Sequence, residues 1–177
     1  MHKSDEELIE LFSVDSEKAF NLIVKKFQER LYWHIRKIVI SHDDADDVLQ
    51  NTFIKAWKAF DKFENKSKLY TWFYRIATNE SITFINLKKK KQEDTIEDYQ
   101  NELGQYIESD PLFDGDELQL QLQKAVLSLP EKQRLVFNMK YFDDLKYSEI
   151  AEILDITEGS LKASYHLAVK KIETYFK

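Results

Sequence analysis

Apolar residues recur at helical spacing through most of this chain. Phe20, Ile23, Val24, Phe27, Leu31, Ile35 and Ile38 predict a helix over 17–39, with Asp15 or Ser16 as its N-cap. A second helix is predicted over 42–60, capped by Ser41, with Ala45, Val48, Leu49, Thr52, Ala56 and Phe60 as its inner stripe. The run DKFENKSK at 61–68 breaks the period and reads as a loop. A third helix runs from about Leu69 to Lys91 and ends in four lysines, Lys88 to Lys91. Helical spacing resumes over 118–128 through Leu118, Leu122 and Val126, followed by Leu129. Pro130 then opens a helix over 131–141, where its fixed φ is tolerated. Two last helices are predicted, 148–154 capped by Ser148 and 158–175 capped by Thr157. No internal repeat is visible. The pattern predicts an all-α protein with two helical domains, 1–91 and 118–177.

Between them, residues 92–117 carry Gly104, Asp110-Pro111 and Asp114-Gly115 and read as a linker with at most a short helical turn. Fully extended, 26 residues reach about 90 Å. This segment also changes the meaning of the net charge of −6. It holds ten acidic residues and no Lys, Arg or His, and without it 22 acidic residues face 26 basic ones, a balance of +4. Encounter with phosphate follows local sign, so a nucleic-acid partner stays open.

Hydrophobic residues make up 43% and charged residues 33%, which suits a folded chain. Only 3 Gly and 2 Pro are present, too few for an all-β protein full of tight turns. Cysteine is absent, so disulfides and thiolate metal sites are excluded. The opening MHKSDEELIE has no apolar signal core, and no apolar run is long enough to cross a bilayer. A soluble, cytoplasmic protein without membrane insertion is expected.

The segment YSEIAEILDITEGSLKASYHLAVKKIETYF has the layout of a helix-turn-helix. Ala151 is small where two helices would cross, and Ile156 and Leu161 would fill the angle between them. Asp155 stands where such turns favour a left-handed residue. In a major groove, the second helix would turn Ser160, Lys162, Ala163, Tyr165 and His166 outward. A plain helical hairpin with a solvated face has the same pattern.

Two features of the first domain go beyond a hairpin. Asp47, Gln50, Asn51, Ile54 and Lys58 share one face of the second helix, opposite its core stripe. An isoleucine ringed by polar groups suits a protein partner. Between Asp61 and Lys91, eight Lys or Arg accompany three acidic residues, and Tyr70, Trp72, Phe73 and Tyr74 follow the loop. Cations with aromatic rings suit unpaired bases. Phe73 and Ile76 read as core. Tyr70 and Trp72 can be either core or base platforms.

These segments together resemble the sigma-70 family, in its extracytoplasmic-function group. DDADDVLQNTFIKAWKAFDKF resembles that group's polymerase-binding helix, LYTWFYRIATNESITFI the helix that reads the −10 element, and LPEKQRLVFNMKYFDDLKYSEIAEILDITEGSLKASYHLAVKKI the −35-reading domain. The resemblance implies a sigma factor that directs core RNA polymerase to promoter DNA and performs no chemistry. It implies polymerase contacts by Asp47, Gln50, Asn51 and Ile54. It implies −10 contacts by Lys62, Asn65, Lys66, Ser67, Lys68, Tyr70, Trp72, Arg75 and Asn79, with loop 62–68 capturing a flipped base. It implies −35 contacts by Ser160, Lys162, Ala163, Tyr165, His166 and Lys170. The acidic linker would thread toward the polymerase cleft. An anti-sigma protein is a further implied partner, and the chain would act as a monomer in the holoenzyme. The chain departs from the family pattern at Asn51, where Glu is common. It also departs at Thr78, Asn86, Ser164, Leu167 and Val169, where Arg is frequent. Lost phosphate contacts there would weaken binding to isolated DNA.

Other classes fit less well. A helix-turn-helix regulator acting without polymerase leaves the Asp47–Ile54 face and the aromatic-basic loop unexplained. His2, His34, His42 and His166 show no i, i+3 or i, i+4 pairing, and no phosphate loop or triad motif is present. Asp43, Asp44, Asp46 and Asp47 are accounted for as helix-start acids. No cofactor and no metal are expected.

Overall fold

Side-chain oxygens begin five of the helices. Ser4, Asp15, Ser41, Asp116 and Thr157 each accept a hydrogen bond from a backbone N–H in the first turn of the helix that follows. The computed structural model describes residues 3–92, 104, 105, 107 and 115–177. Among the described residues there is no strand. Most of the linker expected over 92–117 lies outside them, as does His2. The chain divides into two units, Met1–Phe84 and Ile85–Lys177.

In the first unit, α1 spans Asp5–Val14, α2 Ser16–Val39 and α3 His42–Ala59, and a single 3-10 turn, Phe60–Lys62, follows. Helix α4, Leu69–Gln92, begins after the loop and carries on past the unit boundary. Helix α1 was not anticipated. Its signal is a capping box: Glu7 N–H donates to Ser4 Oγ (3.2 Å) and Ser4 N–H to Glu7 Oε2 (2.7 Å). It packs on α2 through buried Leu8 and through Lys26, whose ammonium meets Asp5 at 2.6 Å and donates to the Lys3 carbonyl. Phe12 adds a ring contact to Phe60 at 4.2 Å.

The core of this unit is aromatic. Phe73 is fully buried and touches Phe20, Phe27, Phe53 and Trp72 at ring separations of 5.2–6.5 Å. Burying such a ring stabilises by about 1.5–3 kcal/mol. The α3 stripe faces inward as expected at Ala45, Val48, Thr52, Ala56 and Phe60, while Leu49 is half-buried. Helices α2 and α3 meet at a tight corner. Ile40 takes φ 70 and ψ −50 there, and Ser41 N–H donates to the Val39 carbonyl at 2.9 Å, a strained γ-turn for a β-branched residue.

The second unit holds α5, Glu117–Leu127, α6, Glu131–Phe137, α7, Tyr147–Leu154, and α8, Glu158–Tyr175. The helix expected over 131–141 changes pitch at Asn138, and Asn138–Phe142 forms a π turn. Ala125, Val126, Leu129, Phe137, Ala168 and Ile172 form its core. Ser148 is not the cap of α7. The helix starts at Tyr147, and Glu149 reaches back to accept from the Lys146 N–H at 2.9 Å. Asp155 ends α7 in the left-handed region, φ 54 and ψ 49, as its place in the turn implied.

Candidate nucleic-acid interface

Three surfaces carry the residues of interest. On α3, burial of Ala45, Val48, Thr52 and Ala56 turns the opposite side outward. Asp47, Gln50, Asn51 and Lys58 are exposed, and Ile54 is 52% exposed among them. Trp57, one turn beyond Ile54, is 42% exposed although its ring edge packs on Phe12 and Phe20. Reading from sequence missed Trp57. Its position three residues after Ile54 was the available signal.

The loop before α4 is anchored rather than free-standing. Phe63 lies 6.1 Å from Phe60 and 5.2 Å from Trp72. Asn65 adopts φ 55, a conformation Asn tolerates. Lys62, Asn65, Lys66 and Lys68 are exposed and Ser67 is half-buried, with Lys66 paired to Glu64. Phe63 was also missed, although its i, i+3 spacing from Phe60 was legible.

On α4 the structure brings Trp72, Arg75 and Asn79 to one face. Arg75 and Asn79 are exposed and Trp72 is half-buried. Tyr70 does not join them. Two positions from Trp72, it leaves the helix about 160° away, with the Arg30 guanidinium 4.7 Å from its ring centre. Phe73 is core and Ile76 half-buried. Thr78 corrects the expected loss of a phosphate contact. It is fully buried, donating to the Tyr74 carbonyl (2.7 Å) and sitting 2.8 Å from His34 Nε2. Because the hydroxyl proton is spent on the carbonyl, His34 Nε2–H is the donor to it. No side chain at 78 reaches DNA from this geometry. Asn86 is exposed.

In the second unit, Thr157 Oγ1 accepts from Ser160 N–H and starts α8. Lys162, Ala163, His166 and Lys170 are exposed along it, with Leu167 beside them. Ser160 is half-buried and its Oγ accepts from Lys132 Nζ at 3.0 Å. This links the starts of α6 and α8, and Lys132 was missed because the link spans 28 residues. Tyr165 departs from the outward set. Its ring stacks on Phe137 at 5.9 Å with an 18° tilt, and Tyr147 lies edge-on at 6.4 Å. Burial, with help from Tyr147 and then Tyr141, raises its hydroxyl pKa above the ordinary 10.0. The reason is angular: Tyr165 leaves α8 beside buried Leu161 and Ala168. Ser164 is likewise buried and Val169 half-buried, so neither position has a phosphate contact to lose. Tyr147 has two cations near its ring, Lys140 at 5.0 Å and Lys162 at 5.6 Å.

Among the described residues there is no group of three or more His, Asp or Glu placed to hold a metal ion, and no helix long and apolar enough to cross a membrane.

Comparison with known proteins gives a consistent pattern. The family model Sigma-70 region 2 matches residues 23–91, and Sigma-70, region 4 matches residues 119–172. The ECF RNA polymerase sigma-E factor of Haemophilus influenzae is 30% identical over 96% of this chain and 94% of its own length. That of Escherichia coli K12 is 33% identical over 96% and 93%. Two solved structures share the fold. CnrH, in complex with the cytosolic domain of CnrY, gives a TM-score of 0.73 at 19% identity, covering 98% of this chain and 97% of its own. The sigma factor RpoE of Bartonella quintana, in complex with the anti-sigma factor NepR, gives 0.69 at 22%, covering 90% and 97%.

Proposed function

Because the chain belongs to the sigma-70 family, in its extracytoplasmic-function group, we propose a division of labour among the surfaces described above. The protein is a sigma factor that binds core RNA polymerase and directs transcription initiation at promoters. Asp47, Gln50, Asn51 and Ile54 dock on the polymerase. Desolvating an isoleucine within a polar rim is how a protein interface gains affinity without an aggregating patch.

Loop 62–68 captures an unpaired base, and Trp72, Arg75 and Asn79 contact the −10 element as it opens. Phe63 and Trp72 hold the loop against α4, which fixes where a captured base can lie. Tyr70 contributes from the other side of the helix. Lys162, Ala163, His166 and Lys170 face the −35 element, with Ser160 steadied by Lys132. Tyr165 seats α8 on the core and so sets the depth at which these groups meet the groove. The domains run 1–91 and 118–177, and the acidic linker lets the polymerase surface set their separation. This reading places the work in the cytoplasm, beside core polymerase, as a monomer in the holoenzyme without chemistry of its own. An anti-sigma protein is the expected antagonist, as NepR is for RpoE in one of the neighbouring complexes.

The observation that carries this reading is the exposed Ile54 on a helix whose other face is fully committed to the core. A regulator of duplex DNA has no use for it. The test is in-vitro transcription with core polymerase. Gln50→Ala combined with Ile54→Ala abolishes initiation while the far-ultraviolet spectrum and unfolding midpoint stay the same. Unchanged transcript yield sinks the assignment.

A further inference from the structure

We propose that Arg30 and Tyr70 form a second stacking station for unpaired bases, on the side of α4 turned away from Trp72. This rests on the sigma reading above and adds a residue of α2 to the path of the single strand.

The first support is angular. Side chains two positions apart leave a helix about 160° from one another, so one base cannot lie on both Tyr70 and Trp72. The second is the surroundings. Trp72 is packed against Phe60, Phe63 and Phe73. Tyr70 instead sits among cations, with the Arg30 guanidinium at 4.7 Å and Lys68 Nζ at 5.6 Å from its ring centre. Arg30 also lies 5.4 Å from the Tyr74 ring, which stands edge-on to Tyr70 at 6.2 Å. The third is exposure. Arg30 stays exposed while it covers Tyr70. A guanidinium is planar, stacks on a ring through one face and accepts a base on the other, while its N–H groups remain available for phosphate.

Loop 62–68 joins the two stations. Lys68 ends the loop and already lies at the Tyr70 ring. A strand that rounds the start of α4 from the Trp72 side meets Lys68 beside Tyr70 and Arg30. The geometry therefore assigns two successive positions of the separated strand to two distinct platforms.

The test uses holoenzyme assembled from the full chain and core polymerase. It is titrated against a promoter whose non-template strand is already unpaired, with abasic sites placed one position at a time. Arg30→Ala weakens binding about 5- to 150-fold, the equivalent of one stacked base. That loss vanishes at one abasic position, and a different position silences Trp72→Ala. Arg30→Lys keeps the charge and the aliphatic stem but not the plane. It guards against loss of fold and shows the same position-dependent loss. An equal loss at every abasic position marks a structural or purely electrostatic role and overturns the proposal, as does coupling of Arg30 and Trp72 to the same base. If the wild-type holoenzyme does not bind this template at all, the sigma reading itself fails.

Discussion

Placing at position 78 the arginine that is frequent in this family should destabilise the first unit, not tighten its grip on DNA. Thr78 has no exposed surface, and its hydroxyl is engaged by the Tyr74 carbonyl and by His34, whose ring lies against Tyr74 at 4.4 Å. Thr78→Arg puts a charge beside Tyr74 and His34, in a buried site where a two-bond hydroxyl stood. An unpaired buried charge costs about 3–5 kcal/mol. Domains are stable by about 0.05–0.15 kcal/mol per residue, so a unit of 84 residues has about 4–13 kcal/mol in total. The substitution therefore removes about a quarter of that stability at the least and all of it at the most. Thr78→Val keeps the shape and loses only the hydroxyl, at about 1–3 kcal/mol. The assay is urea unfolding followed by tryptophan emission. Trp33, Trp57 and Trp72 all lie in the first unit, so the signal reports on that unit alone. An arginine variant with an unshifted midpoint and stronger promoter binding would refute the burial of this site.

Three further outcomes follow from local geometry. Asp155→Gly relieves a left-handed residue and raises the stability of the second unit by up to about 1 kcal/mol, read as a higher melting temperature with promoter binding unchanged. Ser4→Ala breaks the capping box of α1 and lowers the tryptophan-monitored midpoint by the equivalent of about 0.5–2 kcal/mol; no shift would mean that α1 contributes nothing to the first unit. Tyr165 should titrate above the ordinary tyrosine value of 10.0. Folding holds its proton more tightly than the unfolded chain does, so its contribution is complete below pH 10.0 and is lost as pH rises beyond. The difference in tyrosinate absorbance between wild type and Tyr165→Phe checks this, and a Tyr165 contribution at the ordinary range contradicts it.

The long helices were legible because their apolar spacing and their caps agree. Thr157 and Asp155 did what their chemistry implied. Helix α1 was legible too, through Ser4, Glu7 and Leu8, but its short apolar stripe is outnumbered by the charged residues around it. Polarity misled at Thr78 and Ser164. A hydroxyl can bond to the carbonyl one turn back and so enter a core, as Thr78 does with Tyr74. Composition grouped Tyr70 with Trp72, although their two-residue spacing already separates them. The Lys132–Ser160 bond has no local signal at all, because only packing of α6 against α8 brings the two ends together.

That bond also bears on what the recognition helix can read. An ammonium engages one lone pair of Ser160 Oγ and polarises its O–H, which leaves the hydroxyl chiefly a donor. When α8 lies in a major groove, such a group pairs with the acceptor edges of guanine, adenine or thymine and meets the cytosine amino group poorly. On the proposed reading of Ser160, base preference at that one register would be set partly by a lysine on a different helix, which need not touch the base itself.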